Sequence, residues 1–440
     1  MEPAAVVEAA LKAGADAAEA VLADRAALSV SVRLGKLEEV EREESRDLGL
    51  RVFVGGRQAA VSTSALGADA VARLVERAVA MARLAPEDPY AALAPAEKLW
   101  RGGPVDLDLY DAAEPSAETL EDRARAAEAA ALATPGVENS DGGSASWSAS
   151  RWRLVTSEGF DAPHRVSGFS VSASAIAQDA GGMERAGDGR SARHQEDLPD
   201  PASIGAEAGK RAVARLGGRK IASCTAPVIF ENRTAVSVLG PLIGAISGPA
   251  VARGVSFLKG KLGEPVFAKG VDLIEDPFRP RGLGSALFDD EGVPKTRRKL
   301  IDDGVLTTWL LNTSSAKQLG LETTAHASRG LAGPPGVSTA GLHLAPGALD
   351  LDGLMRDAGE GLLVTSMFGP SLNGNTGDWS AGASGFWFEN GAVAYPVTEI
   401  TVAGNLIDFY GRLMPGSDLE FRSSSNSPSL LIDGVAIAGK

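Results

Sequence analysis

Leu48-Gly49-Leu50-Arg51-Val52-Phe53-Val54-Gly55-Gly56-Arg57-Gln58-Ala59-Ala60-Val61 decides how the first half of the chain folds. Two apolar-rich arms flank Gly55-Gly56. A two-residue turn with positive φ at both positions closes a tight β-hairpin, and glycine reaches that region without strain. Downstream, Val71, Leu74, Val75, Ala78 and Ala82 recur at helical spacing, so residues 69 to 84 read as an amphipathic helix that ends before Pro86. Upstream, Pro3 and an alanine-rich run predict a helix over residues 3 to 23. Leu28, Val30, Val32 and Leu34 then alternate as in a strand with one buried face. The opening is therefore a sheet with helices, an α+β arrangement.

The same signals continue. Residues 85 to 115 are rich in Pro and Gly and read as a loop. Ser116 caps a helix running to about Ala133. Strands follow at 144 to 156 and 166 to 176, and Asp200-Pro201 opens a further helix. After about residue 218 the chain becomes dense in strands and glycine turns. Asp303-Gly304 and Asn390-Gly391-Ala392 each sit between apolar arms as hairpin turns, and Thr398 to Val402 continues the second sheet. This predicts an N-terminal helix-and-sheet domain, 1–217, and a strand-rich, largely antiparallel domain, 218–440.

Composition removes several function classes. Lys and Arg number 43 against 57 Asp and Glu, a net charge of −14. That balance argues against a broad phosphate-binding surface, so no nucleic-acid partner is expected. A single cysteine rules out an internal disulfide framework and fits a reducing compartment. The start, Met1-Glu2-Pro3-Ala4-Ala5-Val6, has an acid where a secretory leader has a base, so a cytoplasmic protein is expected. Thr234 to Ala252 holds no charge, but Pro241, Pro249 and three glycines interrupt it. A buried helix, not a membrane span, is expected there.

The chemistry-bearing residues are sparse. His164, His194, His326 and His343 stand far apart and form no helical zinc pair. No phosphate-binding loop and no Gly-x-Ser-x-Gly elbow occurs. Cys224 has no neighbouring base and reads as a small buried residue. Asp289-Asp290-Glu291 reads as a solvated turn. The run Thr376 to Gly385 suits either close approach of a ligand or the bends of a curved sheet. Gly240, Gly244 and Gly248 fall at i, i+4 and i+8, a smooth helical stripe that suits close packing inside the domain or across a subunit interface.

Three runs then carry a resemblance: Phe288-Asp289-Asp290-Glu291-Gly292-Val293-Pro294, Leu300-Ile301-Asp302-Asp303-Gly304-Val305-Leu306, and Leu311-Asn312-Thr313-Ser314-Ser315-Ala316. With Gly374-Asn375-Thr376-Gly377-Asp378-Trp379-Ser380-Ala381-Gly382-Ala383-Ser384-Gly385-Phe386, they resemble the TldD/PmbA family in this order over nearly the whole chain. In that family, TldD-like chains carry a His-Glu-x-x-x-His helix that binds zinc, together with a ligand Cys near the C-terminus. TldE chains, also called PmbA, lack both. The resemblance sets Val236 to Arg253, after the strand Val228-Ile229-Phe230, against the zinc helix. Gly240, Gly244 and Gly248 mark that degenerate counterpart, which has no His, Cys, Asp or Glu. Phe421 to Asn426, set against the ligand-cysteine segment, has no Cys.

The resemblance implies the non-catalytic subunit of a heterodimeric zinc metallopeptidase. It implies no catalytic or metal residue in this chain, with zinc in a TldD-like paralogue, and a small or unfolded peptide as substrate, in peptide maturation or antitoxin turnover. Asn375, Asp378 and Ser380 are candidates for a peptide cleft or interface. The alternatives are a non-proteolytic binding or regulatory protein of a toxin or gyrase system, and an independent hydrolase with an unrecognised Ser or Asp site.

Overall fold

A computed structural model describes residues 2–103 and 105–440. Helix α1 (Pro3–Lys12) stops ahead of Gly14, whose φ is +98°, and strand β1 (Ala17–Arg33) follows. The last third of the helix expected over 3 to 23 is therefore strand. Alanine's helix preference is a few tenths of a kcal/mol per residue. It loses here to burial, because residues 18–23 are enclosed on both faces of a sheet. β2 (Lys36–Val54) and β3 (Arg57–Thr63) form the hairpin, with Gly55 and Gly56 at φ +55° and +72°. Helix α2 (Ala68–Leu84) follows as its spacing predicts.

Helix α3 (Ala117–Leu132) begins at Ser116, whose Oγ accepts the Thr119 N–H at 3.1 Å. Next come β4 (Val137–Thr156), β5 (Asp161–Asp179), β6 (Gly182–Ala192) and helix α4 (Pro201–Ala214). The six strands make one sheet in the order β3-β2-β1-β4-β5-β6. Ala18, Ala20, Leu48, Leu50 and Val52 pack under α1 and α2. Leu28, Val30, Trp147, Phe169 and Val171 pack under α3 and α4. Gly205 of α4 is what lets these two helices cross closely, because a Cβ there would run into the Ala127 carbonyl of α3. Over β4 and β5 the other sheet face is lined by serines, with Ser144 and Ser172 2.9 Å apart and Ser146 and Ser170 2.7 Å apart.

The second half is built on a ring of strands. β7 (Cys224–Phe230) runs parallel to Gly361–Leu372 and antiparallel to Leu430–Ala438. Gly361–Leu372 pairs with Asp378–Glu389, which pairs with Ala392–Asn405. Thr401, Val402 and Ala403 then meet Ala438, Ile437 and Ala436, which closes the circuit. Phe230, Val402 and Ile432 are fully or almost fully buried in its core, together with Val238, Leu239 and Leu242 of helix α5 (Asn232–Ala245). The turns at Asp303-Gly304 and Asn390-Gly391 adopt positive φ at both positions, as hairpin chemistry requires. Cys224, expected to be buried, is exposed, because β7 is buried only over its last three residues.

The two halves meet at Asp289-Asp290-Glu291, and here the expected solvated turn is wrong. Asp289 is 1% exposed and Glu291 2%. Asp289 Oδ1 accepts the N–H groups of Glu291 at 3.0 Å and Val293 at 2.9 Å, and its Oδ2 accepts that of Ala327 at 2.9 Å. Glu291 Oε2 accepts from Thr313, both N–H (2.8 Å) and Oγ1 (2.6 Å), at the start of helix α7 (Thr313–Leu319), which follows the short helix α6 (Gly248–Ala252). Fixed N–H donors here replace water around the carboxylates. Phe288 packs against Phe160 and Trp100 of the first half, each with centroids 5.1 Å away. Glu19 of β1 lies between Arg51 of β2, at 2.6 Å, and Arg329 of the second half.

Candidate functional site

Helix α5 leaves β7 at Glu231 and carries the start of the segment, Val236 to Arg253, that the resemblance sets against a zinc helix. Asn232 ties the start of α5 to the C-terminal loop: its N–H donates to Ser429 Oγ at 3.1 Å and its Nδ2 to the Asp418 carbonyl at 3.0 Å. Asn426 Oδ1 accepts the N–H groups of Arg422 at 2.7 Å and Ser423 at 3.0 Å, which fixes residues 422–426 nearby. The fold thus brings α5 and the 421–426 region side by side.

Asp188 of β6 joins them. Its side chain is 2% exposed and faces Arg190 at 2.7 Å, Arg233 of α5, and Arg422 at 3.7 Å. Glu231 is gripped by Arg211 of α4 through contacts of 2.9, 2.8 and 2.6 Å. Burial pushes the Glu231 carboxyl up, while Arg211 and Arg233 pull it down. Burial, then Arg211, draws the Arg233 guanidinium down. Beside these pairs a cavity of about 590 Å³ opens between α4, β6, the start of α5 and the strand Gly361–Leu372. It shares Ala186, Gly187, Arg215, Arg233 and Ser366 with a second cavity of about 680 Å³ that runs onto the serine-lined sheet face.

The singled-out residues fall in three places. Gly240 and Gly244 lie on the exposed side of α5, and a Cβ at either would meet nothing within 4 Å. Gly248 does not share their helix. The chain breaks after Ile246, Gly248 donates its N–H to the Leu310 carbonyl at 2.7 Å, and α6 begins there with Pro249 in its first turn. A Cβ on Gly248 would press Leu311 Cδ2 at 2.7 Å. Asn375 and Asp378 share one exposed turn, in which Asp378 accepts from Thr376 Oγ1 at 2.7 Å and Asn405 Nδ2 at 3.0 Å. These two bonds hold its carboxyl below the usual range. Ser380 is half-buried on Asp378–Glu389, opposite Ser371 and Ala403. None of the three lines the two cavities. Thr376 to Gly385 is turn and bulged strand, the curved-sheet reading.

The donor chemistry does not fit a zinc ion. Val236 to Arg253 offers hydroxyl and aliphatic groups only, apart from Arg253 itself. Among the described residues no three His, Cys, Asp or Glu side chains stand together to hold a metal. His326 is committed to Glu275 at 2.9 Å and Thr324 at 2.8 Å. His194 bonds the Asp108 carbonyl at 2.9 Å. Burial pulls His164 down to about 4 beside Trp152.

Sequence reading missed Glu231, Arg211 and the arginines around Asp188. Their signal was present but weak: Ile229-Phe230-Glu231 puts an acid at the end of a buried strand, and Gly187-Asp188-Gly189 puts one between glycines.

Comparison with known proteins adds the family. Models of PmbA/TldA metallopeptidase domains match residues 18–82 (domain 1), 110–216 (central) and 223–439 (C-terminal). The metalloprotease PmbA of Escherichia coli O157:H7 is 37% identical over 430 residues, 97% of this chain and 93% of that protein. This chain belongs to the PmbA/TldD metallopeptidase family. A PmbA homologue from Haemophilus influenzae is 35% identical across 98% of the chain and 94% of its own length. Among solved structures, a Bacteroides thetaiotaomicron protein described as a candidate modulator of DNA gyrase superposes with a TM-score of 0.92 at 29% identity, covering 100% of this chain and 98% of its own. TldE from Thermococcus kodakarensis shares the fold, with a TM-score of 0.89 at 20% identity over 99% of both chains. The α+β architecture is thus that of the PmbA/TldD family. No helix among the described residues is long and apolar enough to cross a membrane.

Proposed function

We propose that this chain is the metal-free subunit of a heterodimeric cytoplasmic zinc peptidase. Its partner is a TldD-like paralogue that carries His-Glu-x-x-x-His and the zinc, and the substrate is a small or unfolded peptide. The observation that carries this reading is α5. Set against the family's metal helix by the resemblance, it presents Ser237, Gly240 and Gly244 to solvent, beside a C-terminal loop without cysteine. In a zinc peptidase the metal polarises the scissile carbonyl and generates the attacking hydroxide. Chemistry of that kind falls to the partner, and this chain completes the cleft. Membership of a metalloprotease family over the full length supports the enzyme class.

The test is co-expression of this chain with the TldD-like paralogue of the same genome. A one-to-one complex that cleaves an unfolded peptide, is silenced by a chelator, and has no counterpart in this chain alone is the expected result. A chain that recovers no such partner and turns nothing over would be left with the binding or regulatory reading.

A further inference from the structure

We propose that the cavity between α4 and the strand Gly361–Leu372 binds a ligand with one free carboxylate on an apolar body. The inference goes beyond the role of metal-free subunit and needs no partner, because every wall belongs to this chain. At about 590 Å³ the cavity is the size of a small-ligand pocket. Leu363, Phe386 and Ala214 supply apolar wall, which suits an aliphatic or aromatic body and not an inorganic anion.

The polar lining sets the charge. Four cations, Lys210, Arg211, Arg215 and Arg233, line the cavity with one acid, Glu231. The three arginines are committed: Arg211 to Glu231 at 2.6 Å, Arg215 to Glu184 at 3.3 Å, and Arg233 to Asp188. Lys210 has no carboxylate within 4.0 Å among the described residues. Lys210, which is exposed, and Arg233, whose partner Asp188 also faces Arg190 and Arg422, leave the lining with net positive charge, which suits an anionic head group.

A second observation points to the same head group. Pairing with Asp378–Glu389 passes from Val364 opposite Gly385 to Ser366 opposite Ser384, so Thr365 is the extra residue of a bulge. Bulges re-aim side chains, and Thr365 and Ser366 both line the cavity. A lysine ammonium and hydroxyl donors form a carboxylate cradle, and charge-assisted bonds of this kind are among the stronger ones. A peptide C-terminus and a free organic acid both present that chemistry.

The experiment is calorimetric titration of the full chain with acetyl-Leu-Phe as the free acid, acetyl-Leu-Phe amide, and octanoate. The expected result is binding of the acid at least about tenfold tighter than the amide, since the amide forfeits the lysine contact, each tenfold being about 1.4 kcal/mol. Lys210→Glu, at an exposed position, weakens the acid by tenfold or more. Ala214→Trp, which fills the cavity, abolishes binding while circular dichroism reports the wild-type fold. Octanoate binding with a silent peptide supports the same cradle with a free acid as its source. Equal affinity for acid and amide, no binding of any probe, or an unchanged Lys210→Glu variant overturns the proposal.

Discussion

Glu19 and Arg329 form an ion pair between the two halves of the chain, and their side chains are only 1% and 3% exposed. Arg51, 3% exposed, approaches the same carboxylate from the neighbouring strand at 2.6 Å. Two cations on one buried anion are costly to desolvate and costly to break.

Removing the shared anion leaves both guanidiniums uncompensated. Glu19→Ala is expected to cost about 3–5 kcal/mol, the usual penalty for orphaning a buried charge. A urea titration should show the midpoint falling well below that of wild type. A shift no larger than that expected for an exposed pair such as Lys98–Glu322 would mean that the three charges do not hold the two halves together.

Glu291 makes the joint sensitive to pH. Burial, then the neighbouring Asp289, pushes its carboxyl from the ordinary 4.5 up to about 7. A raised carboxyl pKa stabilises the fold most below the unfolded value, and that contribution is lost as pH rises through about 7. Glu291→Gln keeps an oxygen for both Thr313 donors and removes the titration. The difference in melting temperature, variant minus wild type, should grow more positive from pH 4.5 to pH 8. A flat difference would show Glu291 ionised throughout.

The glycines of α5 separate intrinsic stability from assembly. Gly244 sits in open space at a helical φ, so Gly244→Ala should stabilise the isolated chain by about 0.4–1 kcal/mol. Gly244→Leu should leave the isolated fold intact and weaken association with the TldD-like paralogue if that face is covered. Analytical ultracentrifugation of the mixed chains reads this directly, and unchanged association would place the interface elsewhere.

Gly205 is the opposite case. It lies under Ala127, with no room for a Cβ. Gly205→Ala should destabilise by about 1–3 kcal/mol through overpacking, although alanine is the better helix former. A thermal melt distinguishes the two effects by sign.

Much of the fold was legible because local signals agreed with tertiary demand. The helix at 69 to 84, the turn at Gly55-Gly56 and the hairpins at Asp303-Gly304 and Asn390-Gly391 appear where spacing and turn chemistry place them. Residues 17 to 23 failed because propensity pointed one way and double-sided burial the other. Asp289 and Glu291 failed for a related reason: a run of acids looks solvated unless the N–H groups that replace water are known, and some of those come from residues 313 and 327. The site was half legible. The absence of metal donors on α5 can be read from one segment, whereas the lining of the cavity comes from segments between residues 186 and 393 that only the fold brings together.

The strand ring has a consequence for biosynthesis. Leu430–Ala438 sits between β7 and the strand Ala392–Asn405, joined to both by antiparallel ladders. The ribosome therefore makes β7 some two hundred residues before its neighbour exists. Until residues 430–438 emerge, the nascent domain carries two open strand edges of the kind that recruit other chains. The ring closes only after residues 430–438 have been made, and holdase chaperones have their longest opportunity before that step. A tag appended after residue 440 lies just beyond that last strand, so an internal loop of the first half is the safer place for one.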